Sequence, residues 1–143
     1  MTTSATPSTR ITVETTVSAP VEKVWAAYTT PEDIKQWNAA SDDWHTTAAS
    51  VDLRVGGAFS SRMEAKDGSF GFDFEGTYEE VDAPDALTLA LGDGRKARTT
   101  FEAVPDGTKV ETVFDAESQN AAEMQRAGWQ AILDNYRKHA ERA

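Results

Sequence analysis

Residues 10–37 read RITVETTVSAPVEKVWAAYTTPEDIKQW, and the fold follows from how this stretch is divided. From Arg10 to Val17 the residues alternate, Ile11, Val13 and Thr15 against Thr12, Glu14 and Thr16. That is the period of a strand built on β-branched side chains. Ser18-Ala19-Pro20 stops the strand. Ser18 is a residue type that caps helices, and Pro20 suits a first helical turn. Val21, Val24, Trp25 and Tyr28 then recur at helical spacing, which predicts a short amphipathic helix. Thr30-Pro31-Glu32-Asp33 starts a second helix in the same way, running to about Trp37. A strand followed at once by two short helices constrains what the rest of the chain must complete.

Beyond it, Asn38 to His45 reads as a loop, and then period-two runs alternate with turn signals. Thr46 to Leu53 is the first run. Ala58 to Ala65 is the next, with Phe59, Ser61, Met63 and Ala65 on one face. Phe70 to Val81 places Phe70, Phe72, Phe74, Gly76 and Tyr78 on one face and Asp73, Glu75, Thr77 and Glu79 on the other. Leu87, Leu89 and Leu91 alternate, Lys96 to Val104 carries Phe101, and Thr108 to Ala116 puts Val110, Thr112 and Phe114 together. Gly56-Gly57, Lys66-Asp67-Gly68-Ser69, Ala83-Pro84-Asp85, Gly92-Asp93-Gly94 and Pro105-Asp106-Gly107 break the runs. Most of these breaks are turns short enough for an antiparallel meander.

From Asn120, a candidate cap, the period becomes helical. Met124, Gly128, Ile132 and Tyr136 lie near one stripe, with Gln125, Trp129 and Leu133 beside it. Gly128 is expected to bring the helix close to the sheet. Lys138, His139 and Arg142 complement the dipole at its end, His139 as a surface cation. An antiparallel sheet has one wet and one buried face, and only this helix is long enough to cover the buried one. The expectation is an α+β fold: a curved antiparallel sheet of about six to seven strands around a long C-terminal helix, residues 10–143, behind a flexible tail, residues 1–9.

Composition narrows the function. The chain has 143 residues, 39% hydrophobic and 27% charged, as in a globular domain. It has no cysteine, which removes disulfides, thiolate zinc sites and a cysteine nucleophile. Its net charge of −10 opposes binding to nucleic acid or to an anionic membrane. No signal-like start and no membrane-length apolar run is present, so a cytoplasmic location is expected.

Four strings carry a resemblance to a known family: Ser18-Ala19-Pro20-Val21-Glu22-Lys23-Val24-Trp25, Thr30-Pro31-Glu32-Asp33-Ile34-Lys35-Gln36-Trp37, Asp52-Leu53-Arg54-Val55-Gly56-Gly57-Ala58-Phe59 and Gly128-Trp129-Gln130-Ala131-Ile132-Leu133. Gly76-Thr77-Tyr78-Glu79-Glu80-Val81 fits a middle strand. In this order and spacing, from about Ile11 to Glu141, the chain resembles the START-like (helix-grip, SRPBCC) superfamily. The branch it is most similar to is the bacterial homologues of the domain that activates the ATPase of the ninety-kilodalton heat-shock chaperone. The resemblance implies a cavity between sheet and closing helix, but no shared catalytic set.

Candidate site residues follow from inward parity. Trp37, Trp44, Phe59, Phe72 and Phe74 are expected at the inner face or the mouth of the cavity, as are Tyr78, Phe101, Phe114 and Trp129. Each is either core or pocket wall. Met63 adapts to irregular ligands, Leu133 lies on the helix stripe beside Trp129, and Gln125 is either a ligand donor or a surface residue. Ser41-Asp42-Asp43-Trp44-His45 gathers two carboxylates, an indole and a histidine. His45 is the candidate general base, and the acids otherwise serve as caps or surface ions. No second histidine stands near, so no metal is assigned. Asp73 and Glu75 are spaced like a carboxylate pair but alternate toward solvent, where Arg62 and Glu64 are placed to pair with them. A phosphate-binding glycine loop, a nucleophile elbow and a zinc helix motif are all missing, so no cofactor is expected.

Three functions remain open. The first is binding of a small hydrophobic molecule in the cavity. The second is a cyclase- or hydrolase-like enzyme of the polyketide-cyclase type, using His45. The third is interaction with a chaperone, which the lack of the extra domain of complete activators is expected to weaken. A homodimer is also left open.

Overall fold

The computed structural model describes residues 10–39, 41–92, 94–117 and 121–142. The tail of residues 1–9, Asp93 of one turn and the candidate cap Asn120 lie outside them. The element order is β1 (Arg10–Val17), α1 (Val21–Thr29), α2 (Pro31–Trp37), β2 (Trp44–Val51), β3 (Ala58–Ala65), β4 (Gly71–Asp82), β5 (Ala86–Leu91), β6 (Lys96–Val104), β7 (Gly107–Asp115) and α3 (Ala122–Arg142). The seven strands form one curled antiparallel sheet in the order β1-β7-β6-β5-β4-β3-β2. Strands β2 to β7 are a meander, while β1 pairs with β7, Ile11 opposite Phe114. The α+β class and the arrangement of helices around the sheet are as read from the sequence.

Alternation explains which face is buried. Ile11, Val13 and Val17 of β1 point inward, as do Thr108, Val110, Thr112 and Phe114 of β7. An aromatic cluster fastens the helices to this face. Trp25 of α1 meets Phe101 edge-on at 5.2 Å, and Tyr28 stacks on Trp37 of α2 at 5.3 Å. Tyr136 of α3 lies 5.1 Å from both Tyr28 and Trp37. Its hydroxyl donates to the Val24 carbonyl, and the Trp37 indole nitrogen donates to that of Ala27 at 2.9 Å. Buried aromatics with a polar tip thus find a backbone partner.

The Gly-Gly break is required by space as well as by conformation. Gly56 has φ of 86°, and a Cβ on Gly57 would lie 2.0 Å from the Asp52 carbonyl oxygen. The turn is fastened to β4 by Gly56 N–H to the Tyr78 carbonyl at 2.8 Å and Tyr78 N–H to that of Gly57 at 2.9 Å. A bulge follows in β4 between Tyr78 and Glu80, returning Val81 to the core side.

The helix starts differ from expectation. Pro20 is the N-cap of α1 rather than part of its first turn, and neither Ser18 nor Thr30 makes a side-chain cap. The extended proline ends the strand direction by its fixed φ, so the hydroxyl is not needed there. Ser18 instead donates its backbone N–H to Glu141 at the end of α3, 2.9 Å away. Pro31 does occupy the first turn of α2. Trp44 and His45 belong to β2, not to a loop, because Thr46 is buried and Trp44 and His45 pair with Ala65 and Glu64. Among the described residues no helix is long and apolar enough to cross a membrane.

Candidate functional site

Between the inner face of the sheet and α3 lies a cavity of about 320 Å³. Strands β3 and β4 contribute Phe59, Met63, Phe72, Phe74 and Tyr78, and Trp37 comes from α2. Trp129, Ile132 and Leu133 close it from α3, with Leu87 and Leu89 beneath. Phe59 holds the β4 aromatics edge-on, 6.1 Å from Phe74 and 6.3 Å from Tyr78. Among the described residues no charged side chain lines it. Burial pushes the Tyr78 and Tyr28 hydroxyls well above the ordinary tyrosine range, so both are neutral. Such a chamber favours an uncharged, largely apolar guest.

Eight of the residues singled out in the sequence therefore border one space: the five from β3 and β4, Trp37, Trp129 and Leu133. The others are elsewhere. Phe101 packs between Trp25 and Tyr28 as core. Phe114 lies beneath the Trp129 ring, 3.9 Å away and tilted by 11°, and so supports a wall without forming it. Gln125 is turned to the preceding segment, accepting from Glu117 N–H at 2.9 Å and donating to its carbonyl at 3.1 Å. Trp44 clusters with Phe70 and Phe72 at 5.9 and 6.0 Å; Phe70 lies before β4 and is 62% exposed.

His45 is exposed and does not reach the cavity. It borders a separate polar recess of about 230 Å³, with Asp42, Lys35, Lys66, Lys138 and Arg142, divided from the cavity by Trp37 and Asn38. Strand alternation sends Thr46 inward and His45 out. Among the described residues no group of three metal-binding side chains occurs. His139 is not a surface cation: its Nε2 lies 2.8 Å from Asp33 Oδ1 in a partly buried contact between α3 and α2. Asp73 is on the outer face near Arg62, at 3.5 Å, with Glu64 on the other side of the guanidinium at 3.1 Å.

Three hydroxyl residues of the wall were not singled out from the sequence. Tyr28, Thr99 and Thr112 all border the cavity. Thr99 and Thr112 are cross-strand partners, Oγ1 to Oγ1 2.8 Å, and the Tyr28 hydroxyl is 3.3 Å from Thr99. The available signal was parity: Thr99 alternates with Ala97 and Phe101, and Thr112 with Val110 and Phe114, all inward.

Residues 18–141 match the profile of the family described as Activator of Hsp90 ATPase homolog 1-like protein. Solved structures align over nearly the whole chain. The AHSA1-like protein from Aeromonas hydrophila is 47% identical, covering 94% of this chain and 93% of that one, with a TM-score of 0.89. A protein from Cytophaga hutchinsonii is 45% identical, covering 93% and 92%, with a TM-score of 0.81. One from Nitrosomonas europaea, at 21% identity, TM-score 0.83 and coverage of 98% and 99%, shares the fold. No curated relative matches the chain.

Proposed function

The chain belongs to the Activator of Hsp90 ATPase homolog 1-like family, and from that premise we propose that it binds a small apolar molecule in the cavity between the sheet and α3. The observation that carries the reading is the cavity itself: about 320 Å³ with mostly aromatic and aliphatic walls and no charge among the described residues. A chamber of that kind is typical of small-molecule sites. Titration with 2-isopropenylnaphthalene, followed by calorimetry and amide shifts, tests it. Saturable binding is expected, with shifts concentrated on β3, β4 and α3. No saturable shift up to the solubility limit of the probe overturns the reading.

A protein partner of the chaperone kind is a second reading, favoured by the exposed aromatic group of Trp44, Phe70 and Phe72. Phe70 is 62% and Phe72 43% exposed, an unusual cluster for a solvated sheet end. The enzyme reading finds less support, since neither histidine borders the cavity.

A further inference from the structure

We infer that the cavity selects a neutral guest carrying a carbonyl oxygen, which the hydroxyl group formed by Tyr28, Thr99 and Thr112 receives; this rests on the ligand-binding reading above. Among the described lining residues the other oxygen-bearing side chains are Asn38 and Tyr78. Thr99 Oγ1 lies 2.8 Å from Thr112 Oγ1 and 3.3 Å from the Tyr28 hydroxyl. Thr112 is also a weaker hydrogen-bond partner of the Tyr28 hydroxyl.

Each hydroxyl carries one proton and two lone pairs. The two bonds to Thr99 use two of the three protons, and the third is held by nothing stronger than the weak Tyr28–Thr112 contact. Because each hydroxyl rotates, the group offers that proton at Tyr28, at Thr99 or at Thr112, wherever an acceptor arrives. All three border the cavity, so a carbonyl there completes the set. An anionic guest has no such prospect: among the described residues no lysine, arginine or histidine lines the wall, and a buried charge without a partner is strongly disfavoured. The geometry therefore distinguishes a ketone or ester-like molecule from a carboxylate of the same body, and from a plain hydrocarbon.

The test compares 2-acetylnaphthalene with 2-isopropenylnaphthalene, which match in shape and differ in C=O against C=CH₂. In the unaltered protein the ketone is expected to bind about tenfold more tightly, the worth of one buried hydrogen bond. Tyr28→Phe, Thr99→Val and Thr112→Val combined keep the shape and remove every proton of the group, so the ratio is expected to fall to about one. Thr99→Val alone is the second variant: it leaves Tyr28 and Thr112 with two protons and at most one bond between them and is expected to keep a preference for the ketone, and thermal melts establish that each folds cooperatively. Equal affinity for the two probes in the unaltered protein overturns the inference while leaving the cavity reading intact, as does a preference that survives removal of all three hydroxyls. Binding of neither probe overturns both readings together.

Discussion

The Trp129 indole stacks on Phe114 with centroids 3.9 Å apart, and the same side chain borders the cavity. It is core on one side and wall on the other. Truncating a fully packed tryptophan costs about 3–5 kcal/mol. Here part of the ring already faces open space, so Trp129→Ala is expected to cost about 2–3 kcal/mol in urea unfolding, discounting that range. It is also expected to weaken the hydrocarbon probe at least about tenfold by removing a wall. A full core-like loss with unaltered affinity would make it core alone. Trp129 was legible because a large aromatic on a helical stripe has to face the sheet. The hydroxyls were not, because threonine at inward positions reads simply as a strand former. His45 was misplaced because Asp42 and Asp43 look like turn residues, and that signal hid the alternation starting at Trp44.

Helix α3 is held unevenly. Its buried residues, Leu133, Tyr136 and Ala140, all lie in the second half, where His139 meets Asp33 and Glu141 meets Ser18. In the first half Trp129 stacks on Phe114, and Arg126 and Gln130 donate to the Thr12 and Glu14 carbonyls at 3.2 and 3.1 Å, yet a Cβ on Gly128 would meet nothing within 4 Å. The close approach expected at Gly128 is therefore absent, and the contacts are made by its neighbours. Periodicity identifies the stripe that faces inward, but it carries no information on the distance across the gap. Gly128→Ala is therefore expected to raise stability by about 0.5–1 kcal/mol, the helix-propensity gain without a clash. An increased urea midpoint at unchanged slope checks it, and a decrease would mean that the helix approaches the sheet after all.

All three tyrosines of the chain, Tyr28, Tyr78 and Tyr136, have hydroxyls raised above the ordinary range, chiefly by burial. Unfolded tyrosine ionises near pH 10, whereas these stay protonated while the fold persists. Their contribution is therefore fully present below about pH 10 and is lost as pH rises, at about 1.4 kcal/mol per pH unit for each. Urea midpoints are expected to fall steeply above about pH 10, with tyrosinate absorbance appearing together with unfolding. Tyrosinate appearing first would contradict the burial. At this scale most of the architecture was legible, since strand and helix periods are local. The pairing of β1 with β7 could be reached only through the family resemblance. That pairing bears on how the chain is made. Strands β2 to β7 can zip hairpin by hairpin as they leave the ribosome, but β1, synthesised first, has no neighbour until β7 is complete. The covering helix is translated after both, so the nascent sheet presents its greasy side until the last turn of synthesis.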